Sequence, residues 1–348
     1  MKLLRGRWLY VVLAGLALFL YGQLIFKAGH VPFSSLAREA SAPAPRQSIA
    51  TIEIDGAMLL KGGYEHPRLA WLLMGLLALG LSLGVWGLWL NARAIVTGKI
   101  WRVFRYHSRL SPAWSLGEAI RVVLLVGLVA SLLPFVRIAL VTWGAALLVD
   151  DRMWTVIGML FLHLVLVLLI WGFASGRSLS FAKALGLATG RRAAIPLARG
   201  MVEYGAMFPW LFGLLWLLTH TCQRLGIQPP IEPIQELLFE EPSRVVVGLT
   251  IVMACVIGPI VEEMLFRGVL FTALRRRTSR LTAMLISGSM FSAAHTNVIG
   301  FVPIVLLGCL LADVYERTGS LWSAIAIHAF HNTLLVVVAF TLKGLLGG

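Results

Sequence analysis

Long apolar stretches, separated by short and mostly basic segments, repeat along this chain. Most of them hold about 18 residues or more, which is the length that a helix needs to cross the hydrocarbon core of a bilayer. The pattern therefore predicts an all-α, polytopic integral membrane protein built as a helical bundle. About nine transmembrane helices are expected, at residues 8–27, 69–91, 118–149, 154–175, 201–221, 245–271, 282–298, 300–315 and 320–342.

The composition agrees with a membrane protein and excludes an ordinary soluble one. The chain has 348 residues, of which 59% are hydrophobic and 13% are charged, whereas a soluble domain carries about 25% charged residues. The net charge of +14 could suggest a nucleic-acid partner. Because the basic residues are distributed over many loops, they indicate topology instead, and no nucleic acid is expected.

Basic residues accumulate in alternate loops, and the loops between them carry acids. By the positive-inside rule, the basic loops are cytoplasmic. We therefore expect a multi-pass protein of the cell (inner or plasma) membrane with a cytoplasmic N-terminus and an external C-terminus. The three basic loops contain Arg93, Lys99, Arg102, Arg105 and Arg109; Arg177, Lys183, Arg191, Arg192 and Arg199; and Arg275, Arg276, Arg277 and Arg280.

The chain divides by pattern into an N-terminal membrane region, 1–244, and a compact helical module, 245–342. The apolar stretch 8–27 is long for a cleaved signal peptide and predicts an uncleaved signal anchor. Residues 28–66 form an external loop with a Ser/Ala/Pro-rich linker and a weak strand pattern at 49–55. Pro134 and Arg137, near the middle of 118–149, predict a kink or a break in that span.

Three polar motifs lie inside apolar, helix-length stretches of the last hundred residues. A charged side chain at the centre of a bilayer costs about 2.5–3.5 kcal/mol, and it usually faces a bundle interior or a cavity where it meets a partner. Several such groups together therefore predict a site. The motifs are Glu262-Glu263-x-x-x-Arg267, Phe291-x-x-x-His295 and His328-x-x-x-Asn332.

Helical spacing assigns these side chains to faces. Glu263 and Arg267 are four residues apart and can form an ion pair, while Glu262 is turned by about 100° toward another partner. Gly258-Pro259, just upstream, predicts a kink that lets water or a peptide approach. His328 and Asn332 share one face of the last helix.

The depth of the polar residues tests whether their helices converge. Their distance from the nearest cytoplasmic arginine is roughly 16–22 Å at about 1.5 Å per residue, so they are expected near one level. The sequence therefore predicts an intramembrane cavity that opens toward the cytoplasm or the lipid, with Phe291 in its wall and His331 pointing elsewhere. The three distances are those of Glu262 from Arg275, His295 from Arg280, and His328 from Arg317.

A carboxylate, two imidazoles and an amide in a low-dielectric cavity suit the activation of water. Glu262 could take a proton from a water that His295 aligns, while His328 and Asn332 donate to the oxyanion formed from a peptide carbonyl. Alternatively, Glu262, His295 and His328 could hold a divalent metal such as zinc, which would lower the pKa of bound water. The residues leave the metal-dependent and the metal-free versions open.

At these residues the chain resembles the CPBP family of intramembrane proteases, also called the CAAX protease and bacteriocin-processing family or Abi family. The three motifs occur in the family's order, and Gly258-Pro259-Ile-Val and Gly268 also look like family sequence. The resemblance covers about residues 245–342.

This resemblance implies an endopeptidase of the membrane. Glu262 would be its catalytic glutamate, completed by His295, His328 and Asn332, with Glu263, Arg267 and Phe291 in support. Its partners would be the lipid bilayer and a protein or peptide substrate, lipidated or not, because eukaryotic relatives cleave prenylated CAAX proteins.

Two other classes of function use the same residues. A proton-coupled transporter could use Glu262 and the histidines as a relay, and a haem-binding membrane protein could ligate iron through His295 and His328. The remaining acids of the apolar stretches are expected to be interfacial: Glu203, Asp313 and Glu316.

Overall fold

The computed structural model describes residues 56–98, 110, 113–142, 151–176, 180–187, 194–225, 238, 243–295 and 299–346. Within these ranges the chain is helical and contains no strand, which confirms the all-α prediction. The predicted signal anchor 8–27, the weak strand at 49–55 and the rest of the external loop up to residue 55 lie outside the described residues.

The helices follow the predicted apolar stretches closely. Because nothing in lipid can satisfy a free backbone amide or carbonyl, long apolar stretches adopt helices whose backbone bonds are internal. The described helices are α1 Gly56–Glu65, α2 Pro67–Val96, α3 Leu116–Thr142, α4 Asp151–Ser175, α5 Phe181–Ala184, α6 Ala194–Arg224, α7 Arg244–Arg275, α8 Arg280–Ala294, α9 Phe301–Thr318 and α10 Leu321–Leu345.

Six of the described helices, α2, α3, α4, α6, α7 and α10, are long and apolar enough to cross a membrane. They fit a multi-pass membrane protein. The predicted spans 282–298 and 300–315 correspond to α8 and α9, which have 15 and 18 residues and are not among those six. The full count of about nine stays a prediction.

The sequence around Pro134 predicted either a kink or a break in the helix, and the structure contradicts the break. Pro134 lies inside α3, which continues to Thr142, so the predicted break does not occur there. A proline removes one backbone hydrogen bond, but the remaining bonds of an apolar helix have no alternative partner in lipid. The helix therefore continues through the proline.

The chain separates into two compact units. The first comprises residues 1–47 and 117–178, and its described part consists of α4 and almost all of α3. The second comprises residues 48–116 and 179–348 and contains α1, α2 and α5 to α10. All three polar motifs belong to the second unit.

Helices α7, α8, α9 and α10 of the second unit surround the motifs. Three pairs of neighbouring helices, α7 with α10, α7 with α8 and α8 with α9, are each joined by two contacts whose order along the chain shows that the helices run antiparallel. The contacts are Glu263–His328 and Ala254–Asn332 between α7 and α10, Phe266–Ser287 and Glu262–His295 between α7 and α8, and Met284–Cys309 and Ser292–Phe301 between α8 and α9.

Helices α2 and α6, which precede the predicted catalytic module, join the same unit through small residues. A Cβ atom on Gly87 would overlap the Gly205 carbonyl oxygen, so the two backbones are in contact. The Asn91 amide donates to the carbonyl oxygens of Gly87 and Ala206 at 2.7 and 2.8 Å. Small residues and a polar side chain of this kind stabilise helix pairs in membranes.

The end of the predicted external loop is ordered as α1. A Cβ atom on Gly62 would overlap the backbone carbonyl of Leu345, so α1 packs directly on the C-terminal end of α10. This contact places the end of the loop beside the terminus that we expect to be external.

Candidate active site

Helix α7 is irregular where it carries the two glutamates. Two π-helical segments, Met253–Ile257 and Met264–Phe271, flank the α-helical turns Gly258–Glu263. Pro259 has no amide hydrogen for the carbonyl of Cys255, so the regular i to i−4 pattern fails at the first of them. The predicted kink region is thus a widened helix.

Side chains of neighbouring helices bind backbone carbonyls of both π segments. The Asn332 amide of α10 donates to the Ala254 carbonyl oxygen at 2.8 Å, and the Ser287 hydroxyl of α8 donates to the Phe266 carbonyl oxygen at 2.9 Å. A buried carbonyl without a partner is costly. These bonds therefore fix α7 against the helices that carry the histidines.

Glu263 and Arg267 form the ion pair that their spacing predicted. The Arg267 guanidinium donates to Glu263 Oε1 at 2.7 Å, and neither side chain is exposed. The guanidinium also donates to the Gly308 carbonyl oxygen at 3.2 Å and lies 4.2 Å from the centre of the Phe291 ring. His328 Nδ1 lies 2.9 Å from the same Glu263 oxygen.

Glu262 points to the opposite side of this pair, between two imidazoles. Its Oε2 lies 3.7 Å from His295 Nε2 and 3.8 Å from His328 Nε2. This oxygen is buried, and it has no hydrogen-bond partner among the described residues. One ligand atom from each of the three side chains falls within 4.8 Å of the others. The convergence that the depths of the motifs predicted is therefore present.

The two histidines are held with Nε2 toward Glu262. His295 Nδ1 donates to the Phe291 carbonyl oxygen at 2.8 Å, because a carbonyl can only accept. The Phe291 ring contacts both imidazoles edge to face, with centroids 4.6 Å from His295 and 5.3 Å from His328. Phe291 thus forms the wall between the histidines.

The site opens on one side. The side chains of Glu262 and His295 are 28% and 31% exposed, whereas His328 is 1% exposed. A molecule that approaches the site would meet Glu262 and His295 first and find His328 at its floor.

The three side chains could hold either a metal ion or a water molecule. Two ligands of a tetrahedral zinc with bonds of about 2.0 Å are about 3.3 Å apart, while two partners of a water bound at about 2.8 Å are about 4.6 Å apart. The observed separations of 3.7 and 3.8 Å lie between these values. To ligate one metal, Glu262 would have to approach each histidine by a few tenths of an ångström, and the ligand atoms of the two histidines lie within 4.8 Å of each other.

His331 takes no part in this group, as its position on α10 predicted. Its Nδ1 shares a hydrogen bond of 2.9 Å with the Tyr204 hydroxyl of α6.

An ionic cluster, which the sequence did not predict, lies toward the basic end of these helices. Asp313 and Glu316 were expected to be interfacial, but both are buried. Arginine side chains that were read only as topological signals pair with them, because buried carboxylates need such partners. The pairs join Arg275 and Arg280 to Glu316, Arg280 and Arg317 to Asp313, and Arg317 to Glu203. In the sequence, only the four-residue spacing of Asp313 and Arg317 could have indicated this ionic cluster.

Helices α8 and α9 approach closely at Gly308, whose carbonyl oxygen accepts a hydrogen bond from Arg267. We expect that no side chain larger than hydrogen fits at this position. A Cβ atom on Gly308 would lie 2.8 Å from Gly288 Cα and 3.3 Å from an Arg267 guanidinium nitrogen. We expect Gly308→Ala to lower the free energy of unfolding by about 1–3 kcal/mol, measured by thermal unfolding in detergent. Gly248→Ala is the matched control, because its Cβ meets nothing within 4 Å. Equal stability of the two variants would contradict the expectation.

Comparison with known proteins adds a family to this geometry. Residues 244–334 match the family model described as Type II CAAX prenyl endopeptidase Rce1-like. A 92-residue stretch is 34% identical to the Bacillus subtilis protein named "Putative membrane peptidase YdiL" and covers 26% of this chain and 38% of that relative. A 134-residue stretch is 31% identical to the Escherichia coli protein named "Uncharacterized 24.3 kDa protein" and covers 36% of this chain and 61% of the relative. No solved structure matches.

The matched family is a protease family, and the matched residues 244–334 contain all three polar motifs. The resemblance that those motifs predicted is thereby confirmed. The chain covers less than two thirds of the length of each of these two curated relatives.

Proposed function

We propose that this chain, whose residues 244–334 match the family model described as Type II CAAX prenyl endopeptidase Rce1-like, is an intramembrane endopeptidase. The observation that supports it most directly is the position of Glu262. Its Oε2 is buried and faces two imidazole nitrogens at 3.7 and 3.8 Å, while its side chain as a whole is 28% exposed at the open side of the site. A carboxylate held in this way is suited to bind and deprotonate one water molecule.

In the proposed reaction Glu262 is the general base. A water between Glu262 Oε2 and His295 Nε2 loses a proton to the carboxylate as its oxygen attacks the peptide carbonyl carbon. Because His295 Nδ1 donates to the Phe291 carbonyl, Nε2 of the neutral ring accepts from the water and fixes its orientation. Protonated Glu262 then delivers the proton to the leaving amine.

His328 and Asn332 are the proposed donors to the oxyanion. Glu263 accepts the hydrogen bond of His328 Nδ1, which leaves Nε2 facing the reacting carbonyl, where it donates when the ring carries both protons. Asn332 uses one amide hydrogen for the Ala254 carbonyl and has a second one. Donors that are already oriented stabilise a developing charge most strongly in a site that excludes water.

In the metal-dependent version, Glu262, His295 and His328 would be the ligands, and a metal such as zinc would polarise the peptide carbonyl and acidify water. The separations of 3.7 and 3.8 Å lie between those of zinc ligands and those of the partners of one water, so they fit either version, and the metal-free version is the one proposed for test. The Glu263 contact to His328 would serve either version, since it orients the ring.

The wider setting is also proposed. The substrate is a protein or peptide at the membrane, and the residues do not select between lipidated and unmodified substrates. Residues 245–342 form the catalytic module and 1–244 the remaining membrane region. The N-terminus is cytoplasmic, the protein resides in the inner or plasma membrane, and α8 and α9 are counted among about nine transmembrane helices.

Cleavage by the purified protein tests the proposal. Fluorescence-quenched peptides ending in a CAAX sequence, with and without a farnesyl group, would be offered to wild-type protein in liposomes, beside His295→Ala and His328→Ala. We expect cleavage of at least one peptide by the wild type, and a fall in kcat of about 10²-fold or more in each variant, since each loses a group acting on the reacting atoms. Unchanged kcat in both variants would refute the site assignment.

Metal removal tests the choice of mechanism on the same preparation. We expect protein treated with a chelator, and shown by elemental analysis to be free of zinc, to retain its kcat. A loss of activity that zinc restores, together with loss of zinc binding in His295→Ala, would instead establish the metal-dependent version.

A further inference from the structure

A buried tyrosine from outside the family-matching stretch reaches the helix that carries His328. Tyr204 of α6 is completely buried, and its hydroxyl shares a 2.9 Å hydrogen bond with His331 Nδ1 of α10. A hydroxyl in an apolar bundle is costly without a partner. Neither residue has a part in the proposed reaction, so their bond calls for another explanation.

The position of His331 on α10 connects this bond to the site. At 100° per residue, His331 lies about 60° from His328 on one side, and Asn332 lies about 40° from His328 on the other. His328 contacts Glu263, and Asn332 contacts Ala254. His328 and Asn332 therefore form the face of α10 that contacts α7, and His331, which binds α6, lies at the edge of that face.

Other contacts between α6 and α10 are apolar and permit rotation of α10 more readily than a hydrogen bond does. One turn before Tyr204, a Cβ atom on Gly200 would lie 2.8 Å from Ile327 Cδ1, so a small residue meets an aliphatic one. Around the bond itself, the Tyr204 ring packs edge to face on Phe330 at 5.7 Å and on His331 at 5.9 Å. The Tyr204–His331 hydrogen bond, in contrast, is directional and ties His331 to one position against α6.

We propose that Tyr204 and His331 are positioning residues that fix the rotation of α10, and with it the placement of His328 and Asn332 in the site. This inference rests on the proposed function. Side-chain atoms lie roughly 6 Å from a helix axis, so a rotation of about 10° moves them by about 1 Å. A displacement of that size can cost up to about 10²-fold in rate.

A pair of tyrosine variants separates positioning from general stability. Tyr315 is also buried, and its hydroxyl donates to the Leu185 carbonyl oxygen at 3.0 Å, away from the site. Tyr204→Phe and Tyr315→Phe should therefore lose similar stability. We expect only Tyr204→Phe to lower kcat for the cleaved CAAX peptide, by about 10-fold with KM unchanged. His331→Leu should behave like Tyr204→Phe, whereas His331→Asn, whose amide oxygen replaces Nδ1, should recover most of kcat.

A readout that needs no activity completes the test. In protein labelled with ¹⁵N-histidine, the signals of His328, assigned with His328→Gln, should shift in Tyr204→Phe and stay in place in Tyr315→Phe. If the wild type cleaves no peptide but these signals shift as expected, the proposed function fails and the positioning role stands. Unmoved His328 signals, or an equal kcat in the two tyrosine variants, would overturn the positioning role.

Discussion

Replacing Glu262 with glutamine should lower kcat by about 10²- to 10⁴-fold while the protein stays folded. Glutamine keeps the size and hydrogen-bonding shape of the side chain but cannot accept a proton from water at neutral pH. Because Glu262 Oε2 has no hydrogen-bond partner among the described residues, its replacement breaks no bond within them. The measurement is kcat on the cleaved peptide, with thermal unfolding as the check on the fold.

Glu203→Gln is the matched control for this variant. The two glutamate side chains are equally exposed, at 28%, and both lie in helices long enough to cross a membrane. Glu203 pairs with Arg317 at 3.2 Å, so its replacement removes an ion pair without reaching the site. We expect kcat within about threefold of the wild type. Full activity in Glu262→Gln would exclude Glu262 as the base.

The grouping of the polar side chains was predictable because it depends on helical periodicity and membrane depth. Four-residue spacing determines the pairing of Glu263 with Arg267, and a one-residue offset turns Glu262 away from that pair. Similar distances from flanking arginines placed His295 and His328 near the depth of Glu262. Each of these arguments needs only local geometry and the cost of charge in lipid.

Features that depend on contacts between helices could not be predicted from the sequence. The π segments of α7 persist because Asn332 and Ser287 bind their carbonyls, and that requires knowing which helices are neighbours. The burial of Asp313 and Glu316 likewise depends on arginines 30 or more residues away in the chain. The hydrogen bond between Tyr204 and His331 likewise joins residues 127 positions apart in the chain, so it could be found only once α6 and α10 were known to be neighbours.

Removing the charge of Arg267 alone should destabilise the protein strongly. In Arg267→Met, Glu263 would stay in a fully buried position without the guanidinium that lies 2.7 Å away. Breaking a buried pair from one side costs about 3–5 kcal/mol, a large part of the roughly 5–15 kcal/mol that stabilises a domain. We expect a much lower unfolding temperature in detergent and little folded protein. A variant as stable as the wild type would show that Glu263 finds another partner.

The double variant Arg267→Met/Glu263→Leu separates the contribution of the ion pair to stability from the contribution of Glu263 to the orientation of His328. Removing both charges avoids the unpaired carboxylate, and such replacements are often neutral for stability, so we expect the unfolding temperature to recover. Activity should not recover with it, because His328 Nδ1 loses the oxygen that holds it at 2.9 Å. Loss of such an orienting contact typically costs about 10- to 100-fold in metal sites, and a similar fall in kcat is expected here. Recovery of both stability and kcat would reduce the pair to packing, whereas recovery of neither would mean that the bond from Arg267 to the Gly308 carbonyl is required for the fold.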